Sequence, residues 1–385
     1  MPSGAFAVVG RLLGALPGEV EGAVVVDGDT IAAIEIPPRP ERLPSRQIRA
    51  AFVAPGFIDL QVNGGFGFEV GDDPSALRQL AARLPATGVT TFFPTLVSRP
   101  GAAYSPAFAA YDAVATQATP ATSARALGLH LEGPLLAPDR HGAHERGAIE
   151  AADAQLCDRL ADPARVRVVT LAPERPGALA LIARLQARGI VIALGHTEAT
   201  FEVFTAGADA GATLATHVFN AMPPLHHRAP GAVGAALTDD RLTALMIADG
   251  VHTHPAVFKL AARAKGPDRL ALVTDATPGA GLAPGASRLG VFAVIVDETS
   301  ARLGDGTLAG STLTLDRAVR NATRFAGLTV AESVHLATAV PARALGLHDR
   351  GVLDVGRRAD LVLLDDSLGV AATYIGGQRA FGATP

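Results

Sequence analysis

Three short apolar runs in this chain of 385 residues end in side chains able to bind a cation. Leu129-His130-Leu131 leads into Glu132, Ala193-Leu194-Gly195 into His196, and the run ending Ala215-Thr216 into His217. One carboxylate and two imidazoles from three strand ends suit a borderline divalent cation, and three protein ligands leave a fourth position open for chemistry. A carboxylate between Leu131 and Gly133-Pro134 is costly to bury without a partner, which argues against three unrelated polar residues. A fourth run ends in Asp275. A carboxylate beside a cation-held water can take its proton and later hand it to a leaving amine; the plainer alternative is a helix cap. Gln61 and Asn63 share one face of their strand, because successive side chains alternate. Amides are poor metal ligands and good hydrogen-bond partners, so one metal position rather than two is expected. Sites bridged by a carboxylated lysine need Lys at a strand end. The only lysines, Lys259 and Lys265, fall in a helical stretch, which excludes that version.

Other polar residues could hold an anion. Arg228 offers a planar fork suited to phosphate, His252 is a second candidate, and the loop Phe219-Asn220-Ala221 can aim backbone N–H groups at the same charge. His144 is a further candidate, with His141 as its alternative. The remaining histidines, His130 among them, are read as structural or surface residues.

Positioning these groups calls for a particular architecture. Apolar runs at 56–62, 89–95, 126–132, 166–171, 190–195, 212–217, 242–248 and 270–275 alternate with helical stretches at 75–86, 154–161, 177–188, 199–206, 255–265 and 315–325. Eight strands with intervening helices predict an α/β fold, a (β/α)8 TIM-like barrel with its chemistry at the strand ends. Residues 278–284 and 303–311 read as loops over the barrel mouth or a local hairpin. Before the barrel, Gly22 to Ile34 is a hairpin candidate with Asp27-Gly28 at its turn. After it, 359–365 and 371–379 are strand-like. The two ends are expected to pair as a small β-sandwich domain, giving 1–53 with 346–385 and a barrel over 54–345.

Composition narrows the partners. The formal net charge of -4 gives no reason to expect nucleic acid or an anionic membrane surface. A single cysteine, Cys157, excludes an internal disulfide framework and fits a reducing compartment. The apolar stretch Ala5 to Leu16 has no basic segment before it and is broken by Arg11, so it is not read as a signal peptide. A cytoplasmic location is expected.

The chain resembles the amidohydrolase superfamily and, within it, the N-acetylglucosamine-6-phosphate deacetylases. The resemblance spans nearly the whole length. It rests on Pro55 through Gly64, His130-Leu131-Glu132-Gly133-Pro134, Gly142-Ala143-His144, Gly195-His196-Thr197, Thr216 through Met222, Ala248 through His252, Val273 through Ala276, and Leu308 through Ser311. It implies that Glu132, His196 and His217 bind the metal and that Asp275 is the catalytic acid and base. His144 and His252 would contact substrate, with Gln61 and Asn63 counted among the substrate-facing positions. Asn220, Ala221 and Arg228 would hold the sugar phosphate, the Arg coming from the neighbouring subunit of a homodimer. Gln61-x-Asn63 matches the branch with one metal per subunit, typically Zn2+. The implied reaction is hydrolysis of the N-acetyl group of N-acetyl-D-glucosamine 6-phosphate in amino-sugar catabolism. The alternatives are a deacetylase for N-acetylgalactosamine 6-phosphate or another N-acyl compound and, more remotely, an inactive barrel scaffold.

Overall fold

The computed structural model describes residues 4–15, 18–115 and 122–382. Leu16 and the outermost residues of the expected terminal domain, 1–3 and 383–385, lie outside the described residues. The barrel strands are β1 (Phe57–Val62), β2 (Val89–Leu96), β3 (Leu129–Glu132), β4 (Val166–Leu171), β5 (Val191–Leu194), β6 (Leu214–Ala215), β7 (Thr243–Met246) and β8 (Leu270–Leu272). They pair in sequence order, all parallel. Every residue of β1 and β2 is buried, as expected of strands covered on both faces. At least one helix follows each strand. Those the sequence predicts occupy Pro74–Arg83, Ala154–Leu160, Ala178–Ala187, Phe201–Asp209, Pro255–Lys265 and Leu315–Ala326. Tyr104–Ala115 and Gly231–Thr238 complete the outer layer. These two carry few charges, so their apolar stripe is hard to read from sequence.

Closure brings the first and last strands together. Val62 bridges Ala276 in parallel, Asp275 N–H donates to Gln61 O at 3.0 Å, and Asn63 N–H donates to Ala276 O at 2.8 Å. Lower down, the segment Leu336-Ala337 fills the seam, accepting N–H groups from Leu272 and Ile58. The seam places residues 214 positions apart side by side.

Two ladders are shorter than the apolar runs. β6 holds only Leu214 and Ala215, and β8 stops at Leu272. The chain leaves the extended conformation beyond them, and both His217 and Asp275 have positive φ (26° and 49°).

The terminal segments form one seven-stranded mixed sheet. Its order is 378–381, 370–375, 361–364, 47–55, 6–13, 19–27, 30–35. The Asp27-Gly28 hairpin is present, with Asp27 opposite Thr30. Phe6 and Tyr374 lie three strands apart, roughly 14 Å across a flat sheet, yet their ring centroids are 5.3 Å apart. The sheet therefore folds over its own apolar face, as a sandwich does.

Between β8 and its helix, a three-stranded antiparallel flap (Gly285–Leu289, Phe292–Val296, Ala301–Arg302) lies over the barrel rim. Leu289, Val294 and Val296 pack on Ala143, and Gly290 N–H donates to the Glu69 carboxylate. The segments 278–284 and 303–311 flank this flap. Among the described residues, no helix is long and apolar enough to cross a membrane.

Candidate active site

The C-terminal ends of the barrel strands surround a cavity of about 500 Å³, within the range that takes a small polar ligand. Glu132 ends β3, His196 follows β5 by two residues and His217 follows β6 by two. All three are buried, and their ligand atoms lie within 4.8 Å of one another. His217 Nε2 is 3.0 Å from Glu132 Oε1, the two Nε2 atoms are 3.1 Å apart, and His196 Nε2 is 3.3 Å from Glu132 Oε1. A tetrahedral ion with bonds of roughly 2.0–2.1 Å would hold its donors about 3.3 Å apart, so the set fits one cation. His196 Nδ1–H donates to Arg140 O at 2.7 Å, which leaves the Nε2 lone pair facing the cluster.

The backbone here is strained in a patterned way. His196, His217 and Asp275 adopt positive φ (49°, 26° and 49°) although none is glycine. Each such residue costs about 1–3 kcal/mol, a cost kept where the surroundings hold it for function. The turn away from the strand aims these side chains inward over the barrel end.

Charge shapes the cluster further. Burial works against ionisation of Glu132, but the surrounding His144, His196 and His217 rings hold its carboxyl well below the usual range. Burial also pushes His217 down, and its hydrogen bond to Glu132 outweighs that and lifts it. Asp275 moves the other way. Burial and then the Glu132 charge push its carboxyl up to about 6.

Gln61 and Asn63 explain how Asp275 is held. Gln61 Nε2 donates to Glu132 Oε1 at 2.8 Å and to Asp275 Oδ1 at 3.1 Å, and Asn63 Nδ2 donates to the same Oδ1 at 2.6 Å. Both amides are oriented by this, since the carboxylate oxygens can only accept. Two donors pin Oδ1 and leave Oδ2 for proton transfer. Gln61 is wholly buried and does not line the cavity, so its reach is to the two carboxylates rather than to a ligand. Asn63 does line it.

His144, and not His141, reaches the cavity wall. Ser98 N–H donates to His144 Nδ1 at 3.0 Å, which places the ring proton on Nε2, 3.5 Å from Glu132 Oε2. Burial lowers the His144 pKa and favours this neutral form. His252 also lines the cavity, its Nδ1–H donating to Asp249 Oδ2 at 2.6 Å. Asn220 and Ala221 also line the cavity. Left-handed φ at Phe219 and Ala221 flanks Asn220 (81° and 51°), a tight turn in which the Asn220 N–H donates back to His217 O at 2.9 Å. Arg228 is exposed on its loop and does not line this chain's cavity.

The structure adds groups the sequence did not single out. Arg140 and Arg302 line the cavity with Thr307 from the segment after the flap. Arg140 pairs with Glu198, whereas no carboxylate among the described residues is in ion-pair range of Arg302. Nothing local marks these residues: they reach the site only because the flap and the 138–142 loop fold over it.

The description "Amidohydrolase family" belongs to the family model matched by residues 52–380. N-acetylglucosamine-6-phosphate deacetylase of Bos taurus is 42% identical over 349 residues, covering 86% of this chain and 84% of the relative. N-acetylgalactosamine-6-phosphate deacetylase of Escherichia coli O157:H7 is 40% identical over 361 residues, covering 92% and 93%. A solved structure is also similar: a mutant N-acetyl-D-glucosamine-6-phosphate deacetylase from Mycobacterium smegmatis in complex with N-acetyl-D-glucosamine 6-phosphate. Its TM-score is 0.92 at 35% identity, covering 98% of this chain and all of that one.

Proposed function

This chain belongs to the amidohydrolase family, and on that premise we propose that it hydrolyses N-acetyl-D-glucosamine 6-phosphate to D-glucosamine 6-phosphate and acetate. The observation that carries the reading is the convergence of Glu132, His196 and His217 with an amide-pinned Asp275 in one cavity.

Glu132, His196 and His217 are the residues that would hold a divalent metal, for which zinc suits the one-carboxylate, two-imidazole set. Bound there, such an ion supplies Lewis acidity, making water acidic and polarising the acetamido carbonyl. Asp275 is the general base: its Oδ2 takes the proton of the attacking water while Gln61 and Asn63 keep Oδ1 in place. Its raised pKa then lets it return that proton to the departing amine. His144 presents Nε2–H toward the developing oxyanion. His252, its ring fixed by Asp249, offers its other nitrogen to the sugar. Ala221 holds the phosphate through its backbone N–H and Asn220 through its side-chain amide, since the Asn220 N–H is engaged by His217 O. Arg228 completes that subsite from a neighbouring copy in a homodimer, which accords with its absence from the cavity of its own chain. The phosphate is remote from the bond that breaks, so its role is orientation. The division into a terminal β-domain (1–53 with 346–385) and a barrel (54–345), one metal per subunit and a cytoplasmic location complete the proposal.

The test is acetate release from N-acetylglucosamine 6-phosphate, run beside N-acetylglucosamine and N-acetylgalactosamine 6-phosphate, with metal content measured on the same sample. Turnover of the first substrate with about one metal per chain is expected. Faster turnover of the galactosamine epimer would shift the substrate to the one the Escherichia coli relative is named for. Bound metal without turnover of any sugar would refute the sugar assignment.

A further inference from the structure

A chain of buried polar groups lies one layer beneath the three candidate ligands, and the reaction proposed above does not use it. His130 is fully buried and bonds at both ring nitrogens: Nδ1 to Leu60 O at 2.9 Å and Nε2 to Thr170 Oγ1 at 2.8 Å. Thr170 Oγ1 is 2.7 Å from Thr216 Oγ1. A carbonyl oxygen can only accept, so with a neutral ring every proton in the chain has one direction. His130 Nδ1–H donates to Leu60 O, the Thr170 hydroxyl donates to His130 Nε2, and the Thr216 hydroxyl donates to Thr170.

Each member is tied to a residue of the site. Leu60 precedes Gln61. His130 lies two residues before Glu132 and so points to the same barrel-interior face. Thr170 is the strand partner of Glu132. Thr216 precedes His217 at the point where the backbone turns to positive φ. The third ligand is included through packing. A Cβ on Gly195, the residue before His196, would lie 2.8 Å from Thr216 Cβ and 3.3 Å from Thr170 Cγ2. The two threonines therefore press directly on the backbone that delivers His196.

We propose that the His130–Thr170–Thr216 chain positions the metal site, fixing the spacing of Glu132, His196 and His217 from below. These are positioning residues, since none touches the cavity. The inference rests on the metal reading given above. A chain with one proton direction suits the role, because no member can reverse its bond without leaving a buried acceptor or donor unpaired. Loss of groups hydrogen-bonded to the ligands themselves costs roughly 10–100-fold in metal affinity, and a chain that fixes the backbone of the same ligands is expected to act in that range.

The experiment compares Thr216→Val, Thr170→Val and Thr216→Ser with the unmodified protein. The readouts are the zinc dissociation constant by chelator competition, the visible spectrum of the Co2+-loaded protein, and the melting temperature of the metal-free protein. Both Val variants are expected to bind zinc about 10–100-fold more weakly and to shift the Co2+ bands. Thr216→Ser, which keeps the hydroxyl, is expected to restore both. Zinc affinity within twofold of the unmodified protein and an unchanged Co2+ spectrum would overturn the proposal. So would failure of both Val variants to fold without metal, since the chain would then serve the fold alone. If the unmodified protein binds no zinc, the metal reading itself fails. Acetate release by the unmodified protein decides the deacetylase reading separately.

Discussion

Replacing Asp275 with Asn should make the protein inactive and more stable at once. Asn is isosteric, and its Oδ1 can still accept from Gln61 Nε2 and Asn63 Nδ2, which lie 3.1 and 2.6 Å from the Asp oxygen. What changes is the other terminal atom, where an amide N replaces the proton-accepting Oδ2. A lost general base costs about 10²–10⁴ in rate, or roughly 3–5 kcal/mol of barrier. The stability effect follows from the carboxyl being pushed up from 3.8 to about 6, first by burial and then by Glu132. The native state holds that proton more tightly than the unfolded chain, so the associated stability is complete below the unfolded value and is lost as pH rises through about 6. At pH 8 the ionised carboxylate therefore costs about 3 kcal/mol that the Asn variant does not incur. Well below the unfolded value of 3.8 both side chains are neutral and the difference vanishes, so it should already be small at pH 4. The assay is urea unfolding of metal-free protein at pH 4 and pH 8, with kcat and bound zinc measured on loaded samples. Retained zinc, a fall in kcat of at least a hundredfold and a stability gain confined to the higher pH are expected. A kcat within tenfold of the unmodified enzyme would remove Asp275 from the chemistry. A variant less stable at pH 8 would refute the electrostatic argument.

Asp59 is a second buried carboxyl, pushed up to about 7 mainly by burial, and it should give metal-free protein a stability that falls as pH rises through that value. The effect is worth up to about 4 kcal/mol, and urea midpoints for Asp59→Asn should lack that part of the pH slope. Gly310→Ala should damage the site at the cavity wall: its Cβ would lie 2.5 Å from Thr277 Cγ2 and 2.7 Å from Asp275 O, at a φ of 59°. A stability loss of about 1–3 kcal/mol with reduced kcat and normal zinc content is expected from melting and turnover assays. Arg228→Ala should lower kcat/KM for N-acetylglucosamine 6-phosphate far more than for N-acetylglucosamine, and equal losses on both would remove Arg228 from the phosphate subsite.

The barrel was legible because its causes are local. Each apolar run is long enough to bury, and a helical pattern follows six of the eight, as Ala178–Ala187 follows Val166–Leu171. The clustering of Glu132, His196 and His217 was legible for the same reason: each lies at or within two residues of its own strand end, so a parallel barrel must bring them to one end. The single-metal expectation for Gln61-x-Asn63 came from residue chemistry, since amides donate where imidazoles would ligate.

Tertiary structure decided what depends on long-range closure and on backbone that leaves the strand. Gln61 and Asn63 meet Asp275 only because β1 closes against the end of β8, and no local pattern announces a bond across 214 residues. The positive φ values at His196, His217 and Asp275 oppose local preference, so an apolar run read as strand up to His217 ends its ladder at Ala215. His130 reads from sequence as an unremarkable core histidine, and its place beneath the site appears only when Thr170 and Thr216 arrive from other strands. Arg228 sits beside the loop that frames the site and yet lies outside the cavity, a matter of loop direction that spacing does not encode. Residue types in order thus determined the chemistry available to this chain. The folded packing determined which groups touch, because contact across a closed barrel depends on geometry accumulated over every strand between them.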